Sequence, residues 1–402
     1  MPSPPGIEPT RSVLIVHRYF WPENISETPQ LLRTIAGHHL ARGDAVRVVT
    51  GASGDFARQW DEAFEGKVAV SAFRAPVDRG LGAAQRAKHA LRLLRLAISE
   101  MFGQRTDLLY VLSYPPLVGG LLNAFGPQSG RTRRAVYYVQ DLFTYRIGNP
   151  ILRRLYLAFS GLTIRLADRT VTLSEAMKRQ LLLSLSPGSR AAQAPRIVVI
   201  PNACSDFERD PPGAPAQKAY DVIYAGAHGK PQNLDLFVSA MGLLSPGERP
   251  RAVFYGSGDA RPALIARAEE LGLGAALEFR APVSRQEIAE EIAKARFGLV
   301  GALPGLMDYA FPSKLASYGA LGVPSLVMCP EEGETADWLR TSGLGEPLDP
   351  VSPERAAEQL RTLFARRARA AEPRAVRAAC RRQFGPESYL AALDRLLASL
   401  GD

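Results

Sequence analysis

Short, β-branched apolar runs alternate with stretches of helical period along most of the chain. The first run, Val13 to Val16, predicts a buried strand. After a polar loop, Thr28 suits a helix N-cap and Pro29 the first helical position. Leu31, Leu32, Ile35 and Leu40 supply an apolar stripe. Gly43 closes that helix, and Ala45 to Thr50 predicts the next strand. Further strand-like runs follow at Leu108 to Leu112, Ala135 to Val139, Thr170 to Leu173 and Ile197 to Ile200. Strands that are apolar on both sides, with helices between them, predict a parallel sheet covered on both faces.

Pro and Gly accumulate over Asp206 to Gln217, which predicts a linker. The alternation then restarts, with strands expected at Val222 to Ala225, Ala252 to Tyr255, Leu277 to Phe279, Phe297 to Val300 and Ser325 to Met328. An Arg-rich helical stretch, Arg361 to Arg382, is expected to solvate its own surface, and Pro386 to Leu400 to form a last helix. The pattern therefore predicts an α/β protein of two doubly wound parallel-sheet domains. Their expected limits are 1–203 and 219–385, joined by a linker at 204–218 and followed by a terminal helix at 386–402.

One stretch invites a different reading. Leu108 to Gly130 holds no charged residue and is long enough to span a bilayer. Pro115-Pro116, Gly119-Gly120, Asn123 and Gln128 break it, so a buried strand, a turn and a short helix are expected instead.

Composition adds little to the fold but changes the picture of location and partners. The 402 residues are 46% hydrophobic and 22% charged, values of a folded globular chain. Cys204, Cys329 and Cys380 form no CxxC pair, and the Pro-rich start has no signal-peptide pattern, so a reducing cytoplasm is expected. Residues 1–200 carry 26 Lys and Arg against 14 Asp and Glu, net +12, while residues 201–402 carry 23 against 26, net −3. The basic residues are not interleaved with aromatics as a base-stacking platform requires, so nucleic acid is not an expected partner. An anionic membrane surface or a phosphate-bearing acceptor is expected at the basic half, with the protein peripheral on the inner face of the cytoplasmic membrane. Arg86 to Arg105 and Arg153 to Arg165, which mix Arg with Leu, Ile and Phe, have the composition of amphipathic surface helices.

Ligands of open parallel sheets bind beyond the carboxyl ends of the strands, and four loops of the second half lie at such positions. Gly226-Ala-His-Gly-Lys-Pro-Gln232 follows the strand ending at Ala225. Its glycines allow close approach to an anion, and His228 and Lys230 are candidate donors. Tyr255-Gly-Ser-Gly258 follows another strand. Ala281-Pro-Val-Ser284 has the character of a loop that holds a planar base through its backbone. Pro312-Ser-Lys314 opens a helix that Gly322 ends, and a Lys with free N–H groups at a helix start makes a phosphate site. No GxGxxG follows the first strand of either half, which argues against a nicotinamide-dependent dehydrogenase.

These motifs, with Tyr19-Phe-Trp-Pro-Glu23, Ser113-Tyr-Pro-Pro116, Tyr138-Val-Gln-Asp-Leu142, Leu173-Ser-Glu175, Ile200-Pro-Asn202 and Tyr224-Ala-Gly226 with Gln232, occur in the order seen in family 4 retaining glycosyltransferases. The chain resembles that family, and within it the bacterial surface-polysaccharide enzymes similar to N-acetylfucosaminyl transferases, from about residue 12 to residue 330. The resemblance implies a GT-B fold, with two Rossmann-like domains facing across a cleft. It also implies transfer of a sugar from a nucleotide-sugar, UDP-linked by preference, to a glycan or lipid-linked acceptor.

Carried over onto this sequence, Lys314, Lys230 and Asp141 become the candidate catalytic residues. Gly226, His228, Gly229, Gln232, Gly256, Gly258, Val283, Pro312, Ser313 and Ser317 become donor-binding candidates, and Glu23, Glu27 and Gln140 line the acceptor side. No cofactor or metal is expected, and no two Asp residues stand two positions apart as a metal-holding DxD would require. The family's two glutamates, eight positions apart, are replaced here by Tyr309 and Ser317, and the second of them would grip the nucleotide ribose. That departure keeps two alternatives open: an inactive GT-B binding module, or a GT-B nucleotide-sugar epimerase.

Overall fold

The computed structural model describes residues 10–19, 27–52, 60, 62, 64–74, 82–113, 116–142, 147–208, 211–213, 218–309, 311–365 and 372–401. These divide into two compact units. The first comprises residues 1–202 with Tyr309–Phe311 and Leu390–Asp402, and the second Ala203–Asp308 with Pro312–Tyr389.

In the first unit the strands are β1 (Ser12–Val16), β2 (Ala45–Ala52), β3 (Val68–Arg74), β4 (Thr106–Leu112), β5 (Thr132–Val139), β6 (Arg169–Thr172) and β7 (Ile197–Val199). The helices are α1 (Glu27–Ala41), α2 (Ala83–Gly103), α3 (Pro116–Gln128), α4 (Pro150–Leu166), α5 (Glu175–Leu183) and α6 (Pro187–Gln193). The seven strands are parallel in the order β3-β2-β1-β4-β5-β6-β7.

The second unit holds β8 (Tyr220–Ala225), α7 (Leu234–Gly242), β9 (Ala252–Tyr255), α8 (Arg261–Glu270), β10 (Leu277–Arg280), α9 (Arg285–Ala293) and β11 (Ala295–Val300). It continues through α10 (Ser313–Ala320), β12 (Ser325–Met328), α11 (Glu334–Ser342), β13 (Gly345–Leu348), α12 (Pro353–Ala365) and α13 (Pro373–Phe384). Its six strands are parallel in the order β10-β9-β8-β11-β12-β13. The last helix, α14 (Pro386–Ser399), starts in the second unit and from Leu390 belongs to the first.

Both sheets reverse their strand order once, between β1 and β4 and between β8 and β11. Such reversals open a crevice at the carboxyl edge of the sheet, where ligands bind in doubly wound folds. Central strands are buried throughout, as in Val13, Leu14 and Ile15 of β1 and Val222, Ile223 and Tyr224 of β8. Each such side chain contributes about 1.5–3 kcal/mol by leaving water.

Two strands have no counterpart in the sequence pattern, and both are sheet edges. β3 alternates buried and exposed positions, and β13 contains Pro347, tolerated where one side of a strand lacks a partner. α1 begins at Glu27, so Thr28 lies inside its first turn rather than capping it. The uncharged stretch after Leu108 is β4 followed by α3, and no helix among the described residues is long and apolar enough to cross a membrane.

The expected linker needs correction at its start. Ser205–Glu208 forms a 3₁₀ turn whose Phe207 is buried under the guanidinium groups of Arg377 and Arg381, 5.1 and 5.7 Å from the ring centre. The Cys204 N–H also donates to Phe384 O at 2.8 Å. The Arg-rich segment is likewise two helices, α12 and α13, not one solvated face. Arg361 pairs with Glu248 at 3.1 Å, while Arg377 donates to Ala320 O.

Candidate functional site

The switch point of the second sheet gathers three of the loops singled out above. β8 ends at Ala225 and turns through Gly226, β9 ends at Tyr255 and turns through Gly256 to Gly258, and the chain after β11 leads to α10. Gly226, Gly256 and Gly258 have φ of 149°, 143° and 153°, a region that disfavours any side chain. Their bare Cα atoms also let the two turns interlock. A Cβ on Gly256 would stand 1.8 Å from Gly226 O, and one on Gly258 would stand 2.3 Å from His228 O. Hydrogen bonds cross the same gap: Gly226 N–H donates to Tyr255 O at 2.9 Å and His228 N–H to Ser257 O at 2.9 Å.

α10 delivers the main cation. Pro312 precedes its first residue and no side chain caps it, so the start of the helix keeps its positive end unshielded. Lys314, in the first turn, is half-buried and lies against the Cα of Gly226, with its ammonium 5.4 Å from the centre of the Tyr224 ring. It has no ion-pair partner among the described residues, and burial lowers its pKa. The placement of α10 is set by Tyr318, whose hydroxyl accepts the Ala225 N–H at 3.0 Å while its ring covers Gly298. Ser313 is exposed, and Ser317 is half-buried one turn beyond Lys314.

A second cation enters from α8. Arg261 is the first residue of that helix, no side chain caps the helix, and its first turn holds no acid. Its Nε is buried without a hydrogen-bond partner among the described residues. A cation at a helix N-terminus opposes the macrodipole by about 0.3–1 kcal/mol, and both helices that start here bear that cost. Local rules broken in this way mark functional positions. Arg261 was missing from the candidates drawn from sequence, although a cation three residues after Gly258 at a helix start was a readable signal.

His228, a candidate donor in the sequence, is enclosed by the protein rather than open to a ligand. It is fully buried beneath the two glycine turns, and neither ring nitrogen has a hydrogen-bond partner among the described residues. Burial, then the charge of Arg261, pushes its pKa down; the nearby Tyr255 main chain works the other way, and Lys314 adds to the lowering. The ring is therefore a neutral strut packed among Tyr224, Phe254 and Phe279.

Gln232 also faces inward. Its Oε1 accepts the Gly229 N–H at 3.1 Å and so shapes the loop. Lys230 is exposed in the 3₁₀ turn Lys230–Gln232. Val283 is 42% exposed in the loop between β10 and α9. Beside it, Ser284 and Glu287 close a capping box, with Ser284 N–H donating to Glu287 at 2.9 Å.

In the first unit, Gln140 and Asp141 follow β5. Gln140 Oε1 accepts from Asn202 Nδ2 at 2.7 Å, joining two motifs 62 residues apart. Glu23 lies outside the described residues, and Glu27 opens α1 with its side chain outside them. Tyr309 packs with Phe311 against the cluster around Leu142, Ile164 and Leu181, and its carbonyl accepts the Leu142 N–H at 2.9 Å. The side chain of Asp308 lies outside the described residues.

Two doubly wound parallel sheets of seven and six strands define the class: this is the GT-B architecture. Residues 28–203 match the family model described as glycosyl transferase 4-like domain. HepE of Anabaena, crystallised with UDP and glucose, has a similar structure at TM-score 0.68 and 16% identity, over 97% of this chain and 100% of that one. Sucrose-phosphate synthase of Thermosynechococcus elongatus aligns at TM-score 0.71 and 13% identity, over 97% and 99%. The lipopolysaccharide outer core galactosyltransferase WaaB, in its apo form, aligns at 0.67 and 14%, over 96% and 99%. No curated protein matches the sequence significantly.

Proposed function

We propose that the chain is a GT-B glycosyltransferase that takes a sugar from a nucleoside diphosphate donor, UDP-linked by preference, and passes it to a glycan or lipid-linked glycan. The observation that carries this reading is Lys314, an unpaired cation in the first turn of α10 resting on the bare Cα of Gly226 at the switch point of the second sheet. A diphosphate seated there meets Lys314, Arg261 and the open ends of two helices. Each is a fixed positive element that favours the charge built up as the nucleotide leaves.

Support for the donor comes from HepE, solved with UDP and with UDP-glucose, and for a glycan acceptor from WaaB, a lipopolysaccharide galactosyltransferase. In this reading the protein's own cations serve the leaving group without a metal, and the departing phosphate assists attack on the same face of the sugar, with retention. Val283 lies beside the base, and Gln140 and Asp141 serve the acceptor.

A non-catalytic binding module is the second reading, favoured by Tyr309. That residue is half-buried against the first unit's core, where the family places a glutamate. The ribose-gripping glutamate is replaced as well, by Ser317, so the ribose is held by that hydroxyl or by other groups.

Thermal unfolding with UDP-, GDP-, dTDP- and ADP-sugars, for wild type and Lys314→Ala, tests the proposal. A ligand at about 100 times its Kd stabilises the fold by about 2.7 kcal/mol. One nucleotide is expected to raise the midpoint in wild type only, and NMR of the product with acceptor is expected to show the donor's anomeric configuration. Stabilisation without turnover selects the binding module, and no stabilisation by any donor overturns both readings.

A further inference from the structure

The described residues expose eleven large hydrophobic side chains beyond ordinary contact with water, and seven of them lie on three consecutive helices of the first unit. Leu91 and Phe102 stand on α2, Phe125 on α3, and Ile151, Leu152, Leu155 and Leu162 on α4. These helices form one continuous layer, α3 packing on both neighbours. Gly120 brings α3 against Phe159 and Thr163 of α4, and Gly126 brings it against Met101 of α2. Leu93 and Ala97 of α2 and Ile164 of α4 fill the core, and Leu91, Phe102, Ile151, Leu155 and Leu162 lie on the opposite sides of those two helices. Between them α3 is largely buried, and Phe125 near its end is its one exposed large hydrophobic among the described residues.

Spacing aligns these side chains. Leu91 and Phe102 are eleven residues apart, as are Ile151 and Leu162, which is three helical turns, and Leu155 falls between them one turn from Ile151. The same sides of α2 and α4 are cationic: Lys88, Arg92 and Arg95 on α2 and Arg154 and Arg165 on α4 are exposed and make no ion pair among the described residues. Glu100, the one acid in the three helices, points elsewhere, bonded to Arg47 and Ser71. Where α4 begins, residues 150–155 are exposed at every position, with Ile151 at 69% and Leu155 at 62%.

We infer that the outer face of α2 and α4 docks on an anionic lipid bilayer, Leu91, Phe102, Ile151, Leu155 and Leu162 entering the headgroup boundary and the five cations meeting lipid phosphates. Aliphatic side chains bordered by Arg and Lys on helices too polar to span a membrane are the chemistry of an interfacial surface. A second copy of the chain fits less well. A twofold interface sets each patch against itself, and five unpaired cations would face five more. This inference is independent of the donor reading, which concerns the second unit.

Co-flotation of the full chain with vesicles tests it, using phosphatidylcholine alone and phosphatidylcholine mixed with phosphatidylglycerol. Wild type is expected to float with the anionic vesicles and to dissociate as salt rises. Arg154→Gln with Arg165→Gln should weaken that binding roughly thirtyfold. Ile151→Ser with Leu155→Ser should weaken it at low and high salt alike, whereas Val351→Ser, an exposed control in the second unit, should bind as wild type. All these positions are exposed, so an unchanged unfolding midpoint accompanies each variant. Failure of wild type to float with anionic vesicles, or wild-type binding by both α4 variants, overturns the inference. So does a concentration-dependent dimer, lost in Ile151→Ser/Leu155→Ser, in a protein that binds no vesicle. Donor stabilisation in the same samples separates this failure from failure of the glycosyltransferase reading.

Discussion

Lys314 lies so close over Gly226 that a methyl group on that glycine would stand 2.5 Å from the lysine Cε and 2.9 Å from its Nζ. The two residues are 88 positions apart, on the loop after β8 and in the first turn of α10. Gly226→Ala displaces the lysine's flexible end at small steric cost but strains a backbone with φ of 149°. A stability loss of about 1–3 kcal/mol is expected from that strain. Donor affinity is expected to fall at least as far as in Lys314→Ala, as measured by calorimetric titration.

Gly256→Ala is expected to be more damaging, because its new methyl group meets backbone. The contact is 1.8 Å to Gly226 O, which no side-chain rotation relieves. Strain and overpacking together set the loss at about 3 kcal/mol or more. Urea unfolding of this variant beside Gly226→Ala gives the ranking directly.

Arg261→Gln should act on the donor rather than on the fold. Removing a cation from the start of α8 relieves its conflict with the helix dipole, so stability should hold or rise by about 0.3–1 kcal/mol. Loss of a charge-assisted contact to the diphosphate should cost about 1.5–3 kcal/mol of binding, roughly ten- to a hundredfold in Kd. A variant that loses stability but keeps donor affinity would place Arg261 outside the site.

His17, at the end of β1, controls acid stability. Burial, which outweighs its bond to the Tyr19 carbonyl, pushes its pKa from 6.5 to about 4. The unfolded chain therefore binds the proton first as pH falls. The stability tied to neutral His17 is complete above pH 6.5 and is lost progressively between pH 6.5 and 4, by about 3 kcal/mol. Urea midpoints from pH 7 to 4 should fall more steeply for wild type than for His17→Gln.

Native Cys329 and Cys380 should resist thiol reagents, since burial pushes both thiols up to about 12 and leaves about one in ten thousand ionised at pH 8. Labelling with a disulfide reagent at that pH should be slow until guanidinium unfolds the chain, when all three cysteines react.

Much of this architecture is legible in the sequence, because the central strands and the covering helices are local patterns. β12 occupies Ser325–Met328, the same residues that read as a strand from their apolar run. The cation at the start of α10 was visible for a similar reason: Pro312-Ser-Lys314 is a local signal of a helix N-terminus. β3 was not visible because, half in water at the sheet edge, it loses the continuous apolar run of a buried strand, and β13, Gly-Glu-Pro-Leu, because Pro and Glu read against a strand.

Tertiary structure alone decided the rest. Whether His228 faces a ligand or the core depends on Ser257 and Gly258, which close over it from another strand. Phe207 sits in a Pro-rich stretch that reads as linker, and only α13, some 170 residues later, buries it. The Leu and Ile positions of α4 read equally as core or surface, because helical period fixes which residues share a face but not which face meets the sheet. That choice belongs to the neighbours, here Gly120 of α3 and the strands beneath, which close on Thr163 and Ile164 and leave Ile151 and Leu155 in water.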